Sequence, residues 1–331
     1  MRHVTLVFLL LTALVLASIT ASASRHASPG DTIVVASTSD HGPGTLRQAL
    51  LDAQYGDTIT FDPAVFPPTA PVTISLAGAL PQIHQGNLTL DASNAGVILD
   101  GTNVPGAWVA CLQVNSNGNT VQGLQVSNFS GTGIAIGGAC NTIGGDRSVG
   151  AGPHGQGNLT SRNDVGVGLW GSHVSSNTIE GNLIGSDATG VVELGNRHGV
   201  EISEGANGNV VGPDNVIAHN DVGVLFHQGS NGNAIGPDNV IAHNDGAGID
   251  VVNPETLHNT ITQNSIHDND GMGIDLWDGG NGELAAPHIT DLDLDAGTVT
   301  GTACSSCTIE VFSDGCSEGK VYEGRTTADG A

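Results

Sequence analysis

Four short stretches of the chain place chemically active residues at matching positions. GVEIS (199–203), GVLFH (223–227), GIDVV (248–252) and GIDLW (273–277) each begin with glycine and then alternate. The apolar positions are Val200, Ile202, Val224, Phe226, Ile249, Val251, Ile274 and Leu276, the pattern of strands buried on one face. The outward positions form one column of Glu201, Leu225, Asp250 and Asp275 and another of Ser203, His227, Val252 and Trp277. If the strands stack in register, the backbones of Asp250 and Asp275 lie about 4.8 Å apart. That pair has three readings. It could hold Ca²⁺, which takes oxygen ligands flexibly. It is near the roughly 5–5.5 Å separation of acid and nucleophile in retaining glycosidases. Or it is a solvated polar row in an acidic chain. Glu201 approaches the pair only past Leu225. Arg197 and Trp277 would complete a sugar-binding face, because a basic side chain and an aromatic platform suit a hexuronate ring. The candidates are therefore Asp250, Asp275 and Arg197 for catalysis, Glu201, His227 and Trp277 for ligand binding, and Asp250 with Asp275 for Ca²⁺, the one cofactor the residues suggest.

Such a row requires a scaffold that repeats. GPDNVIAHND occupies 212–221 and again 236–245, an offset of 24 residues. The neighbouring sequence extends the match into three asparagine columns: Asn119, Asn141, Asn177, Asn209, Asn233 and Asn259; Asn158, Asn182, Asn215, Asn239 and Asn264; and Asn163, Asn220, Asn244 and Asn269, with Asp187 placed where the third column is interrupted. Self-similarity at this period marks a solenoid. Three short strands and three polar corners per unit predict a right-handed, three-sided parallel β-helix. An asparagine at a corner satisfies turn backbone and tolerates left-handed angles. Long intervals at 144–157 and 185–199 predict loops over one face. His219 and His243 recur with the repeated line; with no third ligand fixed, they read as a stacked surface row.

The remaining organisation follows from local signals. Residues 1–23 have a positive start, an apolar run and an A-x-A segment, which predict a secretory signal peptide. Residues 24–62 supply a first strand and a helical cap with Leu46, Ala49, Leu50 and Ala53 on one face, since an open solenoid end exposes unpaired strand edges. The β-helix is expected over 63–286, and 287–331 reads as a partial β module on a chain that breaks off at TTADGA. Cys304, Cys307 and Cys316 predict a bridge from Cys316 to one of the other two, in keeping with an oxidising compartment. Cys111 and Cys140 would pair if the fold stacks them.

Charge narrows the partners. The chain carries 8 Lys+Arg against 33 Asp+Glu, a net −25. No basic face is available to displace phosphate counterions, which excludes nucleic acid. No segment after the leader is apolar enough to span a membrane.

GTLRQALLDAQYGDTITFD, EGNLIGSDATG, NVIAHNDGAGIDV and NDGMGIDL resemble bacterial secreted right-handed β-helix repeat proteins with a CSLREA-type N-terminal region, over residues 42–276. The resemblance implies the fold and export, with a β-sandwich-like module in the tail. The NTD, DD, GHG and RIK motifs of polygalacturonases are absent, as is the DPHD motif of alginate epimerases; RHG at 197–199 is not GHG. Glu201, Asp250, Asp275 and Arg197 imitate the acidic cluster and arginine base of pectate lyases only loosely. The resulting expectation is a secreted or cell-surface β-helix that binds polysaccharide or cell-surface glycan without catalysis of its own, as a monomer or part of a longer surface protein. The alternative is a polysaccharide lyase or glycoside hydrolase acting on a uronate-containing polysaccharide.

Overall fold

The computed structural model describes residues 30–329 apart from 188, 190, 294, 316 and 317. The expected signal peptide lies outside the described residues. Short strands of alternating apolar residues coil into a right-handed parallel β-helix with three faces: a nine-stranded first sheet, an eight-stranded second and a seven-stranded third. Every inward position on successive rungs meets its own counterpart. Ile202 pairs with Phe226 and Phe226 with Val251, all fully buried. Small and medium apolar side chains therefore fill the interior although aromatic residues are only 3% of the chain.

The first coil begins at Thr32–Val35, which pairs with Thr58–Phe61. The helix Leu46–Asp52 is inserted between these two strands. Thr45 caps it by accepting from the Gln48 N–H at 3.2 Å, and Leu46, Ala49 and Leu50 seal the end of the interior.

The three asparagine columns are hydrogen-bonded ladders. Within the columns, Oδ1 typically accepts from the backbone N–H of the asparagine one rung before, as from Asn119 to Asn141 at 2.8 Å and from Asn220 to Asn244 at 3.0 Å. Each amide also donates to the next, as from Asn177 to Asn209 at 2.8 Å. Two expectations are corrected. The rung assigned to Asp187 is filled by Asn196, which bridges Asn163 and Asn220; the insertion after Leu183–Ile184 bulges outward and moves the return point nine residues along the chain. The left-handed residue at most of these corners is the one before the asparagine, as at His219, His243 and Asp268 (φ 63, 57 and 57°). The asparagine stays in ordinary backbone geometry so that its amide points along the ladder.

The last rung differs from its predecessors. Ile274, expected in the core, is 43% exposed because no coil follows. Two antiparallel pairs, His288–Asp293 with Thr298–Thr302 and Thr308–Ser313 with Val321–Thr327, form the C-terminal region. It closes the helix end by mimicry. Glu318 accepts from the Asn269 N–H and amide at 3.0 and 3.1 Å, as another asparagine would.

The cysteines also differ from expectation. Cys304 pairs with Cys307, whereas Cys316 lies outside the described residues. Cys111 and Cys140 are both free, the first buried and the second exposed. Their 29-residue spacing is out of phase with the local coil, which pairs Leu112 with Ile134 and so sets Cys111 beside Gly133. Among the described residues, no helix is long and apolar enough to cross a membrane.

Candidate functional site: a groove on the third sheet

The third sheet presents an outward row that runs Gln113, Ala135, Gly168, Glu201, Leu225, Asp250, Asp275 in continuous register. Ala135 and Gly168 are small, so the surface dips between Gln113 and Glu201. The dip is a groove of about 480 Å³, lined by Trp108 and Trp170 together with smaller residues such as Ala110, Thr132 and Gly137. Gly168 is required there, because a Cβ would fall inside the Trp170 indole, which lies back over the strand. Trp108 stands 72% exposed on the loop before Leu112–Val114. The chain has three tryptophans, and two of them flank this one groove.

At one end of the groove sits a charged network. Glu201 is 9% exposed, and both its oxygens are bonded. His198 Nδ1 lies 2.7 Å from Oε2, His227 Nε2 lies 3.2 Å from Oε1, and Trp170 Nε1 donates to Oε1 at 3.1 Å. Burial alone would raise the Glu201 carboxyl, but hydrogen bonds from His198, His227 and Trp170 outweigh it and hold it well below the usual carboxylate range. The network continues outward. Arg197 Nη1 is 2.8 Å from His198 Nε2, and the guanidinium grips Asp164 through two bonds of 2.7 and 2.9 Å. Arg197 arrives here because the second insertion ends at it, on the corner where Asn196 rejoins the ladder.

His198 reaches Glu201 through a local irregularity. Simple alternation back from Val200 would turn His198 inward. Gly199 instead faces the interior, where a Cβ would come within 2.8 Å of Ile217 Cγ2 and 2.9 Å of the Asn220 amide. That inward glycine leaves His198 outside. Sequence reasoning placed Arg197, Glu201 and His227 on one face, and the structure joins them. It missed His198, Asp164 and both groove tryptophans; the available signal was Trp170, two residues beyond the glycine aligned with Glu201.

Asp250 and Asp275 occupy adjacent rungs. Burial, and then the charge of Asp275, push the Asp250 carboxyl up to about 6, with His198 pulling the other way. Leu225 separates Asp250 from Glu201, so the acidic pair forms a second cluster beside the network. Trp277, half exposed, stands on the terminal rung next to Val252, away from Glu201 and His227. A structure-based likeness is found to the crystal structure of pectate lyase Pel9A, with a TM-score of 0.45 and 14% identity over 82% of this chain and 86% of that one. Similarity at that level says nothing of activity. No match is found among curated proteins. The model of the right-handed beta helix region matches residues 90–286, well over half of the chain, and the protein belongs to that family.

Proposed function

We propose that this protein is an exported β-helix that binds glycan chains along its third sheet, with the groove between Trp108 and Trp170 as the principal saccharide site. The observation that carries this reading is that two tryptophans line one groove together with small residues, in a chain otherwise poor in aromatics. Indole rings supply large, rigid apolar faces with a polar edge, and a few fixed polar groups beside them set orientation. Gln113 and Asn115 are held by Gln82 at 2.7 and 3.0 Å, and so present pre-set amides to a ligand. The N-terminal apolar run supports export.

The electrostatics favour an uncharged glycan. Arg197 is already paired with Asp164, and Glu201 carries its charge at neutral pH. A uronate would meet an acidic surface without a free cation to receive it, on a chain of net charge −25. The same network argues against Glu201 as a general acid. A carboxylate bonded on both oxygens and held in its ionised form is a poor proton donor.

A second reading rests on Asp250. A carboxyl near 6 beside a second carboxylate is suited to acid–base work on a glycosidic bond, and the same pair would take Ca²⁺ through its oxygens. One experiment separates the two. Retention of the protein on a panel of neutral and uronate polysaccharides is measured alongside release of reducing sugar and of unsaturated uronide, with and without Ca²⁺. Retention by a neutral glycan with no product supports binding; Asp250-dependent product would establish the enzymatic reading.

A further inference from the structure

A separate cluster lies on the corner between the second and third sheets, where the groove does not reach. On several rungs the chain turns there through a left-handed residue, and such a turn throws its side chain away from the coil. On three successive rungs that residue is His219, His243 and Asp268. His219 and His243 stack with centroids 5.4 Å apart and planes inclined by 13°. One strand position earlier, the two preceding coils carry Ala218 and Ala242, but the third carries His267. Its ring meets that of His243 edge-on at 5.9 Å, and its Nδ1 lies 2.6 Å from Asp268 Oδ2. One ligating atom from each of His243, His267 and Asp268 falls within 4.8 Å of the other two.

We infer that His243, His267 and Asp268 bind a divalent transition-metal ion of the zinc or nickel class. Two imidazoles and one carboxylate match the ligand preference of those ions, whereas Ca²⁺ and Mg²⁺ prefer an all-oxygen set. Three protein ligands leave further positions to water. His219 lies one rung outside the set and does not ligate. The interchange of alanine for histidine at position 267 is what turns a repeated surface row into a site, since His219 and His243 alone supply only two ligands. Lys320, from the C-terminal region, sits 3.6 Å from Asp268 and provides a positive charge where the metal would supply one.

Isothermal titration of the full-length protein with ZnCl₂, NiCl₂ and CaCl₂ tests the site. The expected result is one Zn²⁺ or Ni²⁺ per chain, with Ca²⁺ much weaker. His243→Ala, at an exposed position, should weaken binding at least tenfold. His84→Ala, an exposed histidine elsewhere, should leave it unchanged. Lys320→Gln keeps all three ligands and removes the competing cation, so it should tighten binding several-fold. This last variant keeps the test decisive if His267→Ala, with its side chain only 11% exposed, fails to fold. Equal affinity in wild type and His243→Ala, or weaker binding in Lys320→Gln, would overturn the inference.

Discussion

Along the corner between the first and second sheets the chain reads Asn158, Asn182, Asn215, Asn239, Asn264, one residue type on five rungs. Along the outward row of the third sheet it reads Gln113, Ala135, Gly168, Glu201, Leu225, Asp250, Asp275, with hardly a repeat. Both columns belong to the same coils and have the same neighbours above and below. The corner must satisfy backbone groups that would otherwise be buried and unpaired, and each rung poses that demand identically. The outward row faces solvent and has no such demand, so its residues are free to differ. Constancy therefore marks the positions that build the coil, and variation marks the surface where chemistry has room.

If that division is right, a change in the ladder should harm the fold far more than a change in the row. Asn244→Leu is the severest case. It deprives the Asn220 N–H of its acceptor, the Asn220 amide of one of its acceptors and the Ile217 carbonyl of a donor. A loss of about 3–5 kcal/mol is expected in urea denaturation, and an unchanged transition would break the comparison.

The row is not uniform, and Glu201 is its most embedded member. Glu201→Gln should cost about 2 kcal/mol at pH 7, because it replaces a charged acceptor shared by three donors. The pH dependence gives the sign. A carboxyl depressed in the folded state contributes stability that is complete above its unfolded value and is lost as pH falls toward the folded value. Wild type should therefore lose its advantage over the variant on acidification below about pH 4. An advantage that does not shrink at all as the pH falls further would point to packing instead of charge.

Asp250 and Asp275 should respond to Ca²⁺ if they hold it. At a tenfold excess over Kd the ion adds about 1.4 kcal/mol, and Asp250→Asn with Asp275→Asn should abolish the shift in melting temperature. A full response in the double variant would place the ion elsewhere.

Asp250 alone should show the smallest effect and the opposite sign from Glu201. Its carboxyl is raised, so the ionised form carries a penalty that is present above pH 6 and absent below its unfolded value near 4. Asp250→Asn should gain about 1 kcal/mol at pH 7, a figure reduced for partial exposure, and nothing at pH 3.5. A loss at pH 7 would show that the carboxylate makes a favourable contact.

The same contrast explains what could be read from the chain. The ladders at Asn119–Asn259 and Asn158–Asn264, and the register of Glu201 with Leu225, Asp250 and Asp275, were legible because repetition exposes them. Asn196 was not, since an insertion of variable length precedes it and the position cannot be counted forward. His198 was hidden by the inward Gly199, a local break in alternation that no periodicity signals. Trp108 lies on an irregular connection outside the repeat, and only the folded sheet brings it to the same groove as Trp170. Positions set by a recurring demand can be read in order; those set by a single contact between distant segments require the fold.

The claim that the groove binds glycan is tested most directly by Trp108→Ala with Trp170→Phe. The second change keeps a ring over Gly168 while removing the bond to Glu201. Affinity electrophoresis against the best-retained neutral polysaccharide, with the melting temperature recorded in parallel, is the measurement. The account predicts at least a tenfold loss of retention, about 1.4 kcal/mol, with a melting temperature within a few degrees of wild type. Undiminished retention in a folded double variant would contradict it.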